Sequence, residues 1–81
     1  MSKVVRMVIL DKAGKPVVGK PVKLSGCGVL DTNAEGLVVF LAGDEPAVAI
    51  EIDGAKVWAG GSADLKAAET FRQTAAGFDR I

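Results

Sequence analysis

The sequence contains no histidine, and among its 81 residues there is a single cysteine, Cys27. Without histidine, neither a Ser-His-Asp nor a Cys-His catalytic group can form, and no metal can be bound through imidazole. One cysteine excludes an intrachain disulfide, and Cys27 has no basic neighbour in sequence to activate its thiol. We therefore expect Cys27 to be a small half-buried residue, and the chain to be no enzyme and to carry no cofactor and no metal.

An excess of charge of either sign is also missing. Ten lysines and arginines balance ten aspartates and glutamates, so the net charge is zero. Nucleic-acid binding requires a basic field that neutralises phosphates, and none is predicted here. Four lysines form a locally basic segment, which we interpret as solvated turn and strand residues. They are Lys12, Lys15, Lys20 and Lys23.

Long apolar runs are absent as well. No segment approaches the ~18 apolar residues of a membrane span, and the first residues lack the apolar run of a signal peptide. The expectation is thus no membrane partner and a cytoplasmic location. Aromatic residues make up only 5% of the chain while hydrophobic residues make up 49%, which predicts one small domain with an aliphatic core.

Short strands separated by turn residues dominate the first two-thirds of the chain. Val4–Leu10 is apolar on both alternating faces, which predicts a central strand covered on both sides. Leu37–Ala42 is an unbroken apolar run, typical of a strand buried on both faces. Pro21 has no N–H for a ladder, so the strand Lys20–Leu24 is expected at a sheet edge.

The clearest predicted hairpin joins Ala47–Ile52 to Ala55–Ala59 through Asp53-Gly54, a dipeptide that favours a type I′ turn. A regular two-residue turn fixes the register of the opposing residues. That register is Ile52 opposite Ala55, Glu51 opposite Lys56, Ile50 opposite Val57 and Ala49 opposite Trp58. It places Trp58 on the half-polar face of Glu51 and Lys56, away from Ile50 and Val57.

A helix is predicted after the glycine pair at 60–61. Ser62 and Asp64 suit a helix start, and Gly77 suits a helix end. Between them, apolar residues recur at helical spacing, at Leu65, Ala68, Phe71 and Ala75. The expected organisation is one domain, with an antiparallel β region over 1–61 and a helix over 62–78 packed on it.

Two motifs give the chain a family resemblance over residues 3–52. The first is D-x-x-G-K-P-V-x-G-x-x-V-x-L, beginning at Asp11, and the second is T-x-A-x-G followed by a strand ending in an aromatic, Thr32 to Phe40. The segment resembles a carboxypeptidase regulatory-like, that is transthyretin-like, or bacterial immunoglobulin-like unit. The resemblance implies a seven-stranded Greek-key β-sandwich used for spacing, adhesion, or protein and glycan contact. The hydrolase branch of the transthyretin-like fold is excluded, since its site resembles one that needs histidines.

Two kinds of non-catalytic site follow from the residues. Trp is over-represented at protein contacts, so Trp58, with Phe71, Lys56 and Glu51, forms the candidate interface. The loop 31–36 opens like a calcium loop, Asp31-x-Asn33-x-Glu35-Gly36, although Ala42 stands where the bidentate acid belongs. With the acidic loop 43–46, it is a candidate calcium or glycan site.

The predicted fold class is mostly β, a small antiparallel sheet or partial Greek-key sandwich with one C-terminal helix. The first candidate function is a non-catalytic protein-interaction or structural module that forms a homo-oligomer, because two strands with two apolar faces expose more surface than one helix can cover. The alternative is a small ligand-binding module that uses loops 31–36 and 43–46.

Overall fold

The computed structural model describes residues 3–43, 47–75 and 77–81. These residues form eight strands and one 3-10 turn. In chain order they are β1 (Lys3–Leu10), β2 (Pro21–Leu24), β3 (Gly28–Asp31), β4 (Leu37–Ala42), β5 (Val48–Ile52), β6 (Ala55–Gly60), the 3-10 turn Ser62–Asp64, β7 (Ala68–Thr74) and β8 (Gly77–Arg80). The prediction of a mostly β chain is confirmed.

The strands build two four-stranded sheets. Sheet A has the order β4-β1-β7-β8, and sheet B has the order β3-β2-β5-β6. All pairs are antiparallel except β1 with β7, which is parallel. Alternate residues of both sheets enter one aliphatic core, so the architecture is consistent with a β-sandwich. The fully buried members of this core are Val5, Met7, Ile9, Val22, Leu24, Ile50, Ile52 and Phe71.

The predicted helix over 62–78 is wrong. The described part of this segment contains the 3-10 turn and then β7 and β8. Ala68 and Ala75 belong to the expected apolar face of a helix but are exposed, whereas Glu69 and Phe71 are buried at the two-residue spacing of a strand. The backbone of β1 explains this outcome, because Arg6 donates its N–H to Ala67 (2.9 Å) and β7 completes that side of the ladder.

Three expectations about strand positions also change. β1 is central, as predicted, but its outer face is open, with Val4 and Arg6 exposed. β4 is an edge strand with alternating burial, so the prediction that it is buried on both faces is wrong. β2 lies inside sheet B between β3 and β5, and Pro21 is tolerated there as the first residue of the strand.

The β5–β6 hairpin has the predicted turn but only part of the predicted register. Asp53 and Gly54 both have positive φ, 55° and 82°, as a type I′ turn requires. Ile52 lies opposite Ala55 and Glu51 opposite Lys56, as expected. A register shift between Ile50 and Glu51 then brings Trp58 opposite Ile50, with Val57 as the extra residue.

The motif residues are turn and core residues of both sheets and of the connections between them. The Asp11 carboxylate accepts the backbone N–H groups of Ala13 and Lys15, both at 2.9 Å, which closes the first turn. Thr32 is buried; its hydroxyl donates to the Val17 carbonyl (2.6 Å) and accepts from the Lys20 N–H (2.9 Å). One side chain thereby pins the long β1–β2 connection to the β3–β4 connection.

Gly36 is the motif glycine with the tightest surroundings. Its φ is +72°, and a Cβ there would lie 2.6 Å from the carbonyl oxygen of Ile9, a residue of the central strand. Gly54 has a similar φ of +82°, but a Cβ there would meet nothing within 4 Å.

We expect Gly36→Ala to lower the free energy of unfolding by about 3 kcal/mol, because it adds a backbone clash to the cost of positive φ. The matched variant Gly54→Ala bears the φ cost alone, about 1 kcal/mol. Denaturant unfolding of both variants measures the difference. Equal losses would show that the approach of Gly36 to Ile9 is not tight.

Candidate interaction surface

Trp58 belongs to a cluster on the side of the molecule where the edge strands β6 and β8 meet. The guanidinium carbon of Arg80 on β8 lies 5.5 Å from the centre of the Trp58 ring, at cation–π distance. The indole also lies over Gly60 of its own strand, where a Cβ would be 2.9 Å from the ring. The Trp58–Arg80 pair therefore joins the last strand of sheet A to the last strand of sheet B.

A buried carboxylate holds Arg80 in this position. Arg80 donates from Nε to Glu69 Oε1 (2.8 Å), and the Glu69 side chain is only 2% exposed. The other carboxylate oxygen of Glu69 accepts the N–H of Lys66 (2.9 Å). Because both oxygens have donors, the buried charge of Glu69 is paired and hydrogen-bonded. We call Trp58, Glu69 and Arg80 the clasp.

The sequence-predicted interface residues do not form one surface. Phe71 is fully buried in the core and presents nothing to a partner. Trp58 packs against the core under Arg80, so the register shift removes it from the face of Glu51 and Lys56. Glu51 pairs weakly with Lys23 across the outer face of sheet B, at 3.9 Å.

A different surface carries exposed apolar side chains. On the outer face of sheet A, Val4 of β1 lies opposite Leu41 of β4, and Arg6 lies opposite Val39. The exposed fractions are 47% for Val4, 44% for Val39 and 65% for Leu41. We call the outward residues of β1 and β4 the outer A face. It comprises Val4, Arg6, Val8, Leu37, Val39 and Leu41.

The outer face of sheet B is polar by comparison. Lys23 lies opposite both Val29 and Glu51, and Glu51 lies opposite Lys56. Alternating charges in one row are typical of a face in contact with water. The two faces thus differ in chemistry: in the described residues of the outer A face, exposed aliphatic side chains lie opposite each other, whereas the exposed Val29 of sheet B lies opposite a lysine.

Arg6 is the single charged residue of the outer A face. It is exposed, and its guanidinium forms no ion pair with any residue that the structure describes. On its other side it lies opposite Ala68 of β7, whose small side chain leaves a shallow groove beside Val4. The face therefore offers aliphatic contact together with one unpaired cation.

The free edge of β4 is protected at both ends. At its start, Leu37 donates its N–H to the Asn33 side-chain oxygen (3.0 Å) and accepts from the Asn33 N–H (3.2 Å). At its end, the Cys27 thiol donates to the Leu41 carbonyl (3.0 Å). Strand addition at this edge is disfavoured, and the face of the sheet is the more accessible surface.

The 31–36 loop shows no ligand-binding geometry, and most of the 43–46 loop lies outside the part of the chain that the structure describes. The Asn33 side-chain oxygen already accepts the backbone N–H groups of Glu35 and Leu37, which is an ordinary Asx turn. In the second loop, residues 44–46 lie outside the described residues. Among the described residues, no group of three acidic, Cys or His side chains is placed to hold a metal ion.

Sequence reasoning missed the clasp and the outer A face for different reasons. A helix over 62–78 with Leu65, Ala68, Phe71 and Ala75 on its apolar face would have Glu69 on the opposite, polar face, although the β-branched Thr70 and the aromatic Phe71 beside it are typical strand residues. The exposed residues of β1 and β4 were assigned to buried positions.

No helix among the described residues is long and apolar enough to cross a bilayer.

Comparison of the chain with family models, curated proteins and solved structures finds no match. The carboxypeptidase regulatory-like or immunoglobulin-like assignment therefore remains a prediction that rests on the quoted motif residues and the strand arrangement.

Removing Arg80 tests whether the clasp stabilises the fold. We expect Arg80→Met to lower the free energy of unfolding by about 1–3 kcal/mol, because the buried Glu69 carboxylate loses its partner. The fluorescence emission of Trp58 in the folded state should also change, because the Arg80 guanidinium no longer lies over the indole ring. Lys23→Met is the control, since the exposed Lys23–Glu51 pair contributes less than about 0.5 kcal/mol. Losses of the same size in both variants would contradict the role of the clasp.

Calcium should leave the melting temperature unchanged at millimolar concentration. The Asn33 side-chain oxygen is occupied by backbone donors, and Ala42 supplies no carboxylate where a calcium loop needs one. Thermal unfolding with added calcium, and with magnesium as the control, measures this. A saturable rise that Asp31→Ala abolishes would instead establish a calcium site, because binding to the folded state raises stability.

Proposed function

We propose that this chain is a non-catalytic interaction module that self-associates through the outer A face. The observation that carries the proposal is the exposure of neighbouring aliphatic side chains on β1 and β4, led by Val4, Val39 and Leu41. Contiguous apolar patches on small soluble domains mark interaction sites. The size of the domain adds to this argument, because a chain of 81 residues buries only about 60% of its unfolded surface.

A second copy of this chain is the partner that the charges favour. Asp79 of β8 lies opposite Arg72 on the outer side of sheet A and is exposed, with no ion pair to any residue of the described segments. In a two-fold dimer the same patch meets itself, so residue i of one copy contacts residue j of the other and the reverse. Face-to-face packing can then pair Arg6 of each copy with Asp79 of its partner while the aliphatic residues are buried.

We also propose that the module is a Greek-key β-sandwich of the carboxypeptidase regulatory-like, or transthyretin-like, kind. The two four-stranded sheets and the shared core support this. The structural roles of three motif residues support it as well. Asp11 closes a turn, Thr32 joins two connections, and Gly36 lies close to the backbone of β1. The count differs from the resemblance, which implies seven strands where the structure describes eight.

The ligand-binding alternative has less support. Its first loop uses Asn33 for backbone hydrogen bonds, and the structure describes only part of its second loop. Binding of calcium or glycan is thus a second proposal without a geometric argument of its own.

Light scattering at micromolar concentration tests self-association. We expect a mass of about twice the 8.3 kDa of one chain. Leu41→Lys should weaken the dimer at least about tenfold, because it places a charge in the centre of an aliphatic contact. Val18→Lys is the matched control, since Val18 is equally exposed (64%) but lies outside the outer A face.

Three outcomes would contradict the proposal. They are a monomer at every concentration, a dimer that Leu41→Lys leaves intact, and a dimer that Val18→Lys disrupts equally. Reversing the charges in Arg6→Asp and Asp79→Arg tests the pairing separately. Each single variant should weaken the dimer, and the double variant should restore it.

A further inference from the structure

We propose that the cleft between β6 and β8 binds a small carboxylic acid with an apolar body. The edge strands β6 and β8 contact each other at the clasp, and the cleft lies beside the Asp53–Gly54 turn. The space between them has a volume of about 260 Å³, near the lower end of small-molecule pockets at roughly 300 Å³. We call it the β6–β8 cleft; it is lined by Ile52, Asp53, Ala55, Lys56, Val57, Gly77 and Phe78.

The cleft is open because small residues line it where larger ones would fill it. Gly77 has no side chain, and a Cβ placed there would meet nothing within 4 Å. Ala55, which also lines the cleft, contributes a single methyl group. The register shift at Val57 gives β6 its extra residue beside the cleft, so the regular ladder is interrupted where the cleft opens.

The walls of the cleft suit an apolar ligand body. Val57 and Phe78 are half-buried and pack against the core cluster, and Ile52 is fully buried below them. An aromatic ring or a short alkyl chain entering the cleft would displace water from these side chains without opening the core. Apolar walls with a few polar groups at the mouth are typical of small-molecule sites.

The polar groups at the mouth favour an anion. Asp53 is neutralised by Lys20, whose ammonium lies 3.4 Å from its carboxylate. Lys56 is exposed and forms no ion pair with any described residue, and Glu51 opposite it pairs with Lys23 instead. The uncompensated charge of the mouth is therefore positive, which matches a carboxylate on an apolar body.

Trp58 gives this site an intrinsic reporter. It is the sole tryptophan of the chain and directly follows Lys56 and Val57 on β6. Phenylacetate is the probe, with phenylacetamide as the neutral isostere and acetate as the charge without the ring. We expect phenylacetate to change Trp58 emission saturably, with a Kd on the order of 1 mM, and to shift the backbone amide resonances of Val57 and Phe78. Acetate and phenylacetamide should bind at least about fivefold more weakly.

Two pairs of variants locate the binding. Ala55→Leu fills the cleft and should abolish saturation, whereas Ala59→Leu, exposed on the same strand but outside the cleft, should leave it unchanged. Lys56→Gln should weaken phenylacetate binding by about fivefold, the upper range for an exposed ion pair. Lys15→Gln removes an exposed lysine of the β1–β2 connection, outside the cleft, and should have no effect.

Several results would overturn the assignment. Absence of a saturable change in both emission and amide resonances would show that the cleft binds no such acid. Equal binding of phenylacetamide, or full binding by Lys56→Gln, would show that Lys56 does not select an anion. Undiminished binding by Ala55→Leu would place the ligand elsewhere. These measurements can be made on the monomer or on the dimer. A negative result would therefore not contradict the proposed self-association.

Discussion

The structure depends on the backbone pairing of β1. This strand is hydrogen-bonded on one side to β4 and on the other to β7, and its inward residues Val5, Met7 and Ile9 are fully buried in the core. β7 is the second neighbour of this strand and pairs with backbone groups of β1 that would otherwise lack partners in the core, and its residues Thr70 and Phe71 favour a strand. The same pairing leaves β4 at the edge of sheet A and aligns Val4, Val39 and Leu41 on its outer side.

Polar residues hold the two sheets together at their margins. Thr32 fixes the long β1–β2 connection with two hydrogen bonds, and the clasp joins β8 to β6 through Arg80 and Trp58. A buried carboxylate such as Glu69 is tolerated because both of its oxygens have donors. The two aromatic residues that the sequence suggests for a partner contact, Trp58 and Phe71, thus pack within the chain instead.

Two surfaces remain for function, and they differ in character. The outer A face is aliphatic, and its one cation, Arg6, forms no ion pair with any described residue. The β6–β8 cleft is concave and small, with an unpaired cation at its mouth, and suits a small ligand.

The sequence by itself determined the β class, the turns and the inward residues of β2, because these depend on local chemistry. Asp53-Gly54 dictates its turn through positive φ, and Val22 and Leu24 alternate with Lys23. Only the tertiary structure decided which apolar faces are covered, since burial depends on strands that are distant in the chain. A fully apolar run such as Leu37–Ala42 has the same sequence pattern whether the strand lies at the edge or at the centre of a sheet. The position of Trp58 was decided in the same way, because one extra residue in β6 moves every later side chain to the other face.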